Sequence, residues 1–85
     1  PLDQPLLFRA HFRLASILNY RGQPGADTLG DYDDLSQAVE HARIALAIDP
    51  ESGWTHTNLG KFLVDLVIWR YATAASLRET IRATN

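Results

Sequence analysis

Cysteine is absent from the 85-residue chain, and lysine occurs only once, as Lys61. Without cysteine, the chain forms no disulfide, offers no cysteine ligand to zinc and has no thiol nucleophile. Eight basic residues are balanced by ten acidic residues, so the net charge is −2. Because nucleic-acid-binding domains normally carry a basic patch that neutralises phosphates, this composition predicts no nucleic-acid partner.

Long apolar runs are also absent. The longest candidate, residues 62–69, is interrupted by Asp65 and is much shorter than the roughly 20 residues that span a bilayer. The N-terminus does not resemble a secretory signal, since no basic segment precedes an apolar one. We therefore expect no membrane partner and, by default, a cytoplasmic location. Because the chain starts at Pro1 rather than at methionine, we expect residues 1–85 to be one small domain taken from a longer chain.

Glycine and proline are few, and they lie between stretches with helical periodicity. In the first stretch, residues 5–21, apolar side chains recur at steps of three and four. Asp3 is a predicted N-cap, and Pro5 suits the first turn, where N–H groups have no partner in the helix. Gly22 is predicted to end the helix in a left-handed conformation, and residues 23–30 are a predicted loop.

A second helix is predicted over residues 31–48. Asp31 is its predicted N-cap, and the two carboxylates that follow favour the positive end of the helix dipole. The Asp-Pro pair at 49–50 predicts the end of this helix, because a residue before proline is pushed away from helical angles.

Alanines form a stripe of small residues along the second helix. The stripe consists of Ala38, Ala42 and Ala45. The larger apolar side chains beside it are Leu35, Val39 and Leu46. Because small side chains let a neighbouring helix approach closely, we predict a close helix–helix contact along Ala42 and Ala45.

The last periodic stretch starts near residues 52–53 and contains no glycine or proline after Gly60. A single helix of about thirty residues would exceed the usual length in globular proteins. We favour a break near residues 71–73, where Thr73 provides a cap, over one continuous helix. The predicted fold class is therefore all-α, with three or four helices.

No residue set in the sequence carries recognisable catalytic chemistry. The only histidines are His11, His41 and His56, without i, i+4 spacing and without an HExxH motif. His11 and His56 can meet across packed helices and share a metal, but separate, ordinary partners are the favoured interpretation. The acidic start of the second helix lacks the glycine and glutamate of a calcium loop, and no serine lies in a nucleophile elbow. We predict no metal, no cofactor and no enzymatic activity.

Residues 31–63 resemble the boundary between two tetratricopeptide repeats. That family has two small residues about seven positions apart in one helix, then an Asp-Pro-like turn, then a Leu-Gly pair about nine positions later. The matching residues here are Ala38, Ala45, Pro50, Leu59 and Gly60. The loop at 22–30 is longer than the family's tight turn, and residues 30–35 are similar to the Gly-Asp-x-x-Asp-Leu entry of longer variants. The last segment departs further, because it lacks the expected turn.

The resemblance implies antiparallel helical hairpins of an α-solenoid, in which each hairpin buries its apolar face on the next. About three repeats are usually needed for stability, so this chain is expected to be a fragment of a longer array or to dimerise. A 45-residue shift, which aligns residues 14–18 with 59–63, agrees with a repeat. In the family, the first helix of each pair lines a peptide-binding groove. Carried over to this chain, the groove residues are Arg9, Phe12, Ser16, Asn19, Tyr20, Trp54, Thr57, Lys61, Val64 and Asp65.

Two tryptophans lie on the last segment, and tryptophan is common at binding hot spots. Trp54, in the first turn, has the better claim to a partner surface, whereas core packing suits Trp69. The leading function is therefore a protein–protein interaction scaffold that binds a protein or peptide, or stacks within a larger protein. The alternative is a structural helical-bundle domain that self-associates. A regulatory arm on a catalytic domain outside this chain is a third interpretation.

Overall fold

Three helices make up the computed structural model, which describes residues 3–25 and 30–84. They are α1 (Gln4–Gly22), α2 (Tyr32–Ile48) and α3 (Gly53–Thr84). The predicted all-α class is therefore confirmed, and the bounds of the first two helices lie within one residue of the predicted ones. Residues 26–29 of the predicted loop lie outside the described residues.

The two ends of α1 differ from the sequence prediction. Asp3 precedes the helix, but its side chain makes no capping bond, and only its backbone carbonyl accepts from Leu7 N at 2.9 Å. Gly22 is the last helical residue and is not left-handed; the left-handed glycine is Gly30, with φ of 92°. The prediction for Gly22 was wrong because a long-range contact, not a turn, requires the glycine. A Cβ at Gly22 would lie 2.8 Å from Leu35 Cγ and 3.0 Å from Asp31 O.

The start of α2 follows the predicted local chemistry. Asp31 Oδ1 accepts hydrogen bonds from Asp33 N at 2.9 Å and from Asp34 N at 3.2 Å. These bonds satisfy two of the N–H groups that the first turn leaves without helical partners. At the other end, α2 stops at Ile48, immediately before the Asp-Pro pair, as predicted.

A break in α3 near residues 71–73 was predicted, and this prediction was wrong. The helix is continuous from Gly53 to Thr84. Thr73 does not cap a helix, and its Oγ1 is buried without a hydrogen-bond partner. The segment holds Ala72, Ala74 and Ala75 and no glycine or proline, so nothing in it opposes continuation of a helix that has already formed.

The helices run up, down and up, with α2 in contact with both others. Arg21 at the end of α1 pairs with Asp34 at the start of α2, with 3.7 Å between Nε and Oδ2. Tyr32, the first residue of α2, packs against Trp69 of α3 with 5.2 Å between ring centroids. Since α2 is antiparallel to both neighbours, α1 and α3 run parallel to each other.

The core lies where the three helices meet. Phe62 is the residue from α3 that is buried in it, and it is 3% exposed. Leu59 and Leu66, one turn to either side, pack against the cluster while half-buried. The other members come from α1 and α2: Ala15, Leu18, Ala38, Val39 and Ala42.

Replacing Ala42 by leucine is expected to lower the free energy of unfolding by about 1–3 kcal/mol, because the larger side chain overpacks a filled site. Ala42 is 1% exposed and Ala45 is 0% exposed, so the predicted stripe is at an interface. Chemical denaturation followed by circular dichroism measures the change. Ala47→Leu on the exposed face of α2 is the matched control, with an expected effect within about 0.5 kcal/mol. Equal effects of the two substitutions would contradict close packing along the stripe.

Candidate interaction surface

A polar cluster joins α1 to α3, and Asn19 is its centre. Asn19 is only 3% exposed. Its Nδ2 donates to Asp65 Oδ2 at 3.0 Å, and its Oδ1 accepts from Lys61 Nζ at 3.3 Å. Gln23 Nε2 completes the cluster by donating to Asn19 Oδ1 at 2.8 Å. The structure therefore brings together three of the predicted groove residues, Asn19, Lys61 and Asp65.

Charge in the cluster is arranged so that donors surround one carboxylate oxygen. Asp65 Oδ2 accepts from Asn19, from Gln23 at 3.4 Å and from Lys61 at 3.3 Å. The Lys61 side chain is 57% exposed, so water screens this ion pair and its contribution to stability is small. The buried amide of Asn19 contributes more to stability than the ion pair does, because a buried polar group left without a partner destabilises the folded state by about 1–3 kcal/mol.

Gln23 was not among the predicted site residues. The sequence places it just beyond the end of α1, in what was predicted to be loop. Its spacing of four residues from Asn19 was an available signal, because side chains at i and i+4 meet on a helix.

Ser16 and Thr57 contribute little to a shared surface. Ser16 Oγ donates to the carbonyl of Phe12 at 3.2 Å, and Thr57 Oγ1 donates to the carbonyl of Gly53 at 3.0 Å. Both hydroxyl protons therefore bond the preceding turn of their own helix, which leaves only oxygen lone pairs for a partner.

Arg9 and Phe12 lie away from the polar cluster. They line a groove of about 390 Å³ between the start of α1 and the end of α2. Phe8 shares the groove wall, and its ring centroid is 6.1 Å from that of Phe12. The remaining lining residues are Gln4, Pro5, Ile48 and Asp49.

Three predicted site residues are apolar or aromatic and strongly exposed. Tyr20 is 81% exposed, Trp54 is 71% exposed and Val64 is 56% exposed. Trp69, by contrast, is half-buried against Tyr32, and its Nε1 is buried without a hydrogen-bond partner. The two tryptophans thus occupy the environments that the sequence predicted for them.

The histidines have separate partners, which is the interpretation that the sequence analysis favoured. His11 Nδ1 lies 2.9 Å from His41 Nδ1, and His56 Nε2 lies 2.9 Å from the carbonyl of Pro50. The alternative, in which His11 and His56 meet and share a metal, does not fit, because the ring of His41 on α2 occupies the position facing His11. In residues 3–25 and 30–84, no group of three or more histidine, aspartate and glutamate residues is arranged to hold a metal ion.

No helix within the described part of the chain is both long and apolar enough to cross a membrane. Comparison of the chain with protein-family models, with curated proteins and with solved structures found no match.

Proposed function

We propose that this chain is a protein–protein interaction scaffold of tetratricopeptide-like type, which binds an extended peptide and stacks within a larger helical array. The observation that supports this most is the parallel placement of α1 and α3, bridged by Asn19, Lys61 and Asp65. Tyr20 on α1 and Trp54 on α3 are exposed aromatic side chains that a peptide crossing both helices would use as anchors. Rigid aromatic side chains of this kind dominate many binding interfaces.

The distribution of exposed apolar side chains supports stacking within an array. Large apolar side chains that are exposed occur on α1 and α3, and none of those in the described residues lies on the central helix α2. On α3, three of them recur at helical spacing beyond the predicted groove residues, Val67, Ile68 and Tyr71. On α1, Leu6, Leu14 and Ile17 are exposed as well. Outer helices with open apolar faces fit a segment that has a neighbour on each side.

Gly60 fits the same proposal. A Cβ at Gly60 would have no heavy atom within 4 Å, so packing inside this chain does not require glycine there. In the proposed array, a following helix packs against α3 at Gly60. The resemblance to tetratricopeptide repeats therefore gains support only if another segment covers Gly60.

A second candidate function, self-association through α3, is favoured by the end of that helix. Every residue from 75 to 84 is exposed, including Leu77 at 59% and Ile81 at 62%. The ring contact between Tyr32 and Trp69 marks the level where α2 begins, so these residues extend about 20 Å or more beyond it. An exposed apolar helix of this kind pairs readily with another helix.

Two exposed tyrosines distinguish these functions. If α1 and α3 hold a peptide, Tyr20→Ser should weaken binding of a peptide selected from a random displayed library by about 30-fold, since hot-spot losses are about 2 kcal/mol. Tyr71→Ser, a matched control at 77% exposure outside the predicted groove, should leave peptide affinity unchanged. Isothermal titration calorimetry measures the affinities, and sedimentation equilibrium measures association.

Opposite results identify the alternative. A chain that selects no peptide, and whose dimerisation is weakened by Tyr71→Ser but not by Tyr20→Ser, is an oligomerisation domain. Equal loss of peptide affinity in both variants would contradict the predicted groove as the limit of the binding surface, because Tyr71 lies outside it. Circular dichroism of each variant excludes unfolding as the cause, because both tyrosines are exposed.

A further inference from the structure

The contact between His11 and His41 is not part of the proposed interaction surface. The two residues lie thirty positions apart, one on α1 and one on α2, and both are half-buried. Their Nδ1 atoms are 2.9 Å apart, which is a hydrogen-bond distance. Two ring nitrogens form a hydrogen bond only when one carries a proton and the other offers a lone pair.

The rings meet head to head rather than face to face. Their centroids are 5.2 Å apart and their planes are inclined by 22°. When two rings touch through one nitrogen each, their centroids are farthest apart if both nitrogens lie on the line between the centroids. The separation is then the nitrogen–nitrogen distance plus one ring radius on each side, and the observed separation of the centroids is about that large. Both nitrogens therefore lie close to the line between the ring centres, and the lone pair of one ring points along the N–H bond of the other.

This geometry suits a proton and not a metal ion. A zinc or copper ion binds imidazole nitrogen at about 2.0 Å, so an ion between two opposed nitrogens needs about 4 Å of space. The observed gap is 2.9 Å. Binding of a metal by this pair would require the helices or the rings to move.

Charges around the pair are few. The residues three and four positions from each histidine on its own helix are uncharged: Leu7, Phe8, Leu14, Ala15, Gln37, Ala38, Ile44 and Ala45. Arg9 and Arg13, two positions from His11, are exposed, as are Glu40 and Arg43 beside His41. The ion pair of Arg21 with Asp34 lies farther along the same α1–α2 contact, about two helical turns from His41. Protonation of the two rings therefore decides the electrostatics of this contact.

We propose that the His11–His41 pair is an acid-sensitive latch between α1 and α2. At neutral pH one ring donates to the other. The first added proton produces an imidazolium that still donates to a neutral ring, so the latch stays closed. The second added proton leaves two N–H groups and two positive charges facing each other, so the hydrogen bond is lost and the rings repel. The proposal depends only on the helical hairpin and is independent of the proposed function.

The sign of the pH dependence follows from proton counting. In the unfolded chain the two rings are apart, so nothing opposes protonation of both. In the folded hairpin two imidazolium rings would face each other at the contact, so the unfolded chain binds more protons in acid. The expected sign is therefore a loss of stability as the pH is lowered. One extra proton bound on unfolding changes the folding equilibrium by up to about tenfold per pH unit.

The test compares urea unfolding of the wild-type chain and His41→Asn from pH 7.5 to pH 5. Asparagine cannot be protonated, and its amide can donate to or accept from His11 in either state of that ring. As the pH is lowered, the equilibrium constant for unfolding of the wild-type chain should rise by up to about tenfold more per pH unit than that of His41→Asn. His56→Gln is the matched control, since His56 contacts Pro50 and not another histidine. The stability of His56→Gln should depend on pH as steeply as that of the wild-type chain.

Nitrogen NMR of the wild-type histidines provides a measurement that needs no variant. At pH 7.5 one of the two rings should carry its proton on Nδ1 and the other on Nε2. Finding both protons on Nε2 would overturn the proposal, as would parallel pH slopes for the wild type and His41→Asn. Zinc chloride that stabilises the wild type but not His41→Asn would assign the pair to a metal and would overturn it too.

Discussion

Phe62→Ala is expected to lower the free energy of unfolding by about 3–5 kcal/mol and to separate α3 from the hairpin of α1 and α2. Phe62 is 3% exposed and is the member of the buried cluster that α3 supplies. Its removal takes away apolar contacts and leaves a cavity that the alanines around it are too small to fill. Small domains have thin stability margins, so a large fraction of the molecules should be unfolded at room temperature.

Val64→Ala is the control for this experiment, since Val64 lies on the same helix and is 56% exposed. Its effect should stay within about 0.5 kcal/mol. Urea unfolding followed by circular dichroism at 222 nm compares the variants. A Phe62→Ala chain as stable as Val64→Ala would mean that α3 is not held by the observed core.

Gly30→Ala should be the next most damaging substitution described here, lowering the free energy of unfolding by about 2 kcal/mol or more. Gly30 has φ of 92°, a conformation that side chains with a Cβ rarely adopt. An added Cβ would also lie 2.3 Å from the carbonyl oxygen of Gly22, which is backbone and cannot rotate away. The same oxygen accepts from Asp31 N at 2.9 Å, so relief of the clash disturbs the entry to α2.

Gly60→Ala tests whether the effect comes from backbone geometry. Gly60 lies in a helix and has open space around its Cβ position, so alanine should stabilise the chain by about 0.5–1 kcal/mol. Thermal unfolding measured on both variants should shift the midpoint in opposite directions. A shift in the same direction would contradict the left-handed conformation at Gly30.

Local signals in the sequence predicted the parts of the fold that local chemistry determines. Asp31 caps α2 as expected, because its side chain bonds N–H groups two and three residues away. The Asp-Pro pair ends α2 for an equally local reason. The alanine stripe was also predictable, since burial follows helical periodicity.

The errors arose where distant contacts or the absence of a signal decide the structure. Gly22 is glycine because Leu35 and Asp31 pack against it, and nothing in the local sequence indicates this. The continuous α3 was missed because usual helix lengths were weighed above the absence of any breaking residue after Gly60. Length statistics say little about one helix whose residues all tolerate helical angles.

The candidate surface was predicted in part. Asn19, Lys61 and Asp65 entered through the resemblance to tetratricopeptide repeats, and the structure joins them by hydrogen bonds. The meeting of His11 with His41 was not predictable, because it depends on how two helices are rotated about their axes. Sequence spacing fixes which residues share a helix face, but it does not fix which face meets which.

The buried amide of Asn19 has a further consequence for how α1 and α3 align along their length. Apolar side chains tolerate sliding, because one methyl group packs nearly as well as the next. Asn19 does not, since a slip of one helical turn, about 5.4 Å, that carries Asp65 away brings Lys61, a donor one turn along α3, opposite the Nδ2 group of Asn19. The buried Nδ2 group would then lack its carboxylate acceptor, at a loss of about 1–3 kcal/mol. Asn19 therefore disfavours this slip of α3 against α1, much as a single polar residue in a helical zipper excludes staggered pairings.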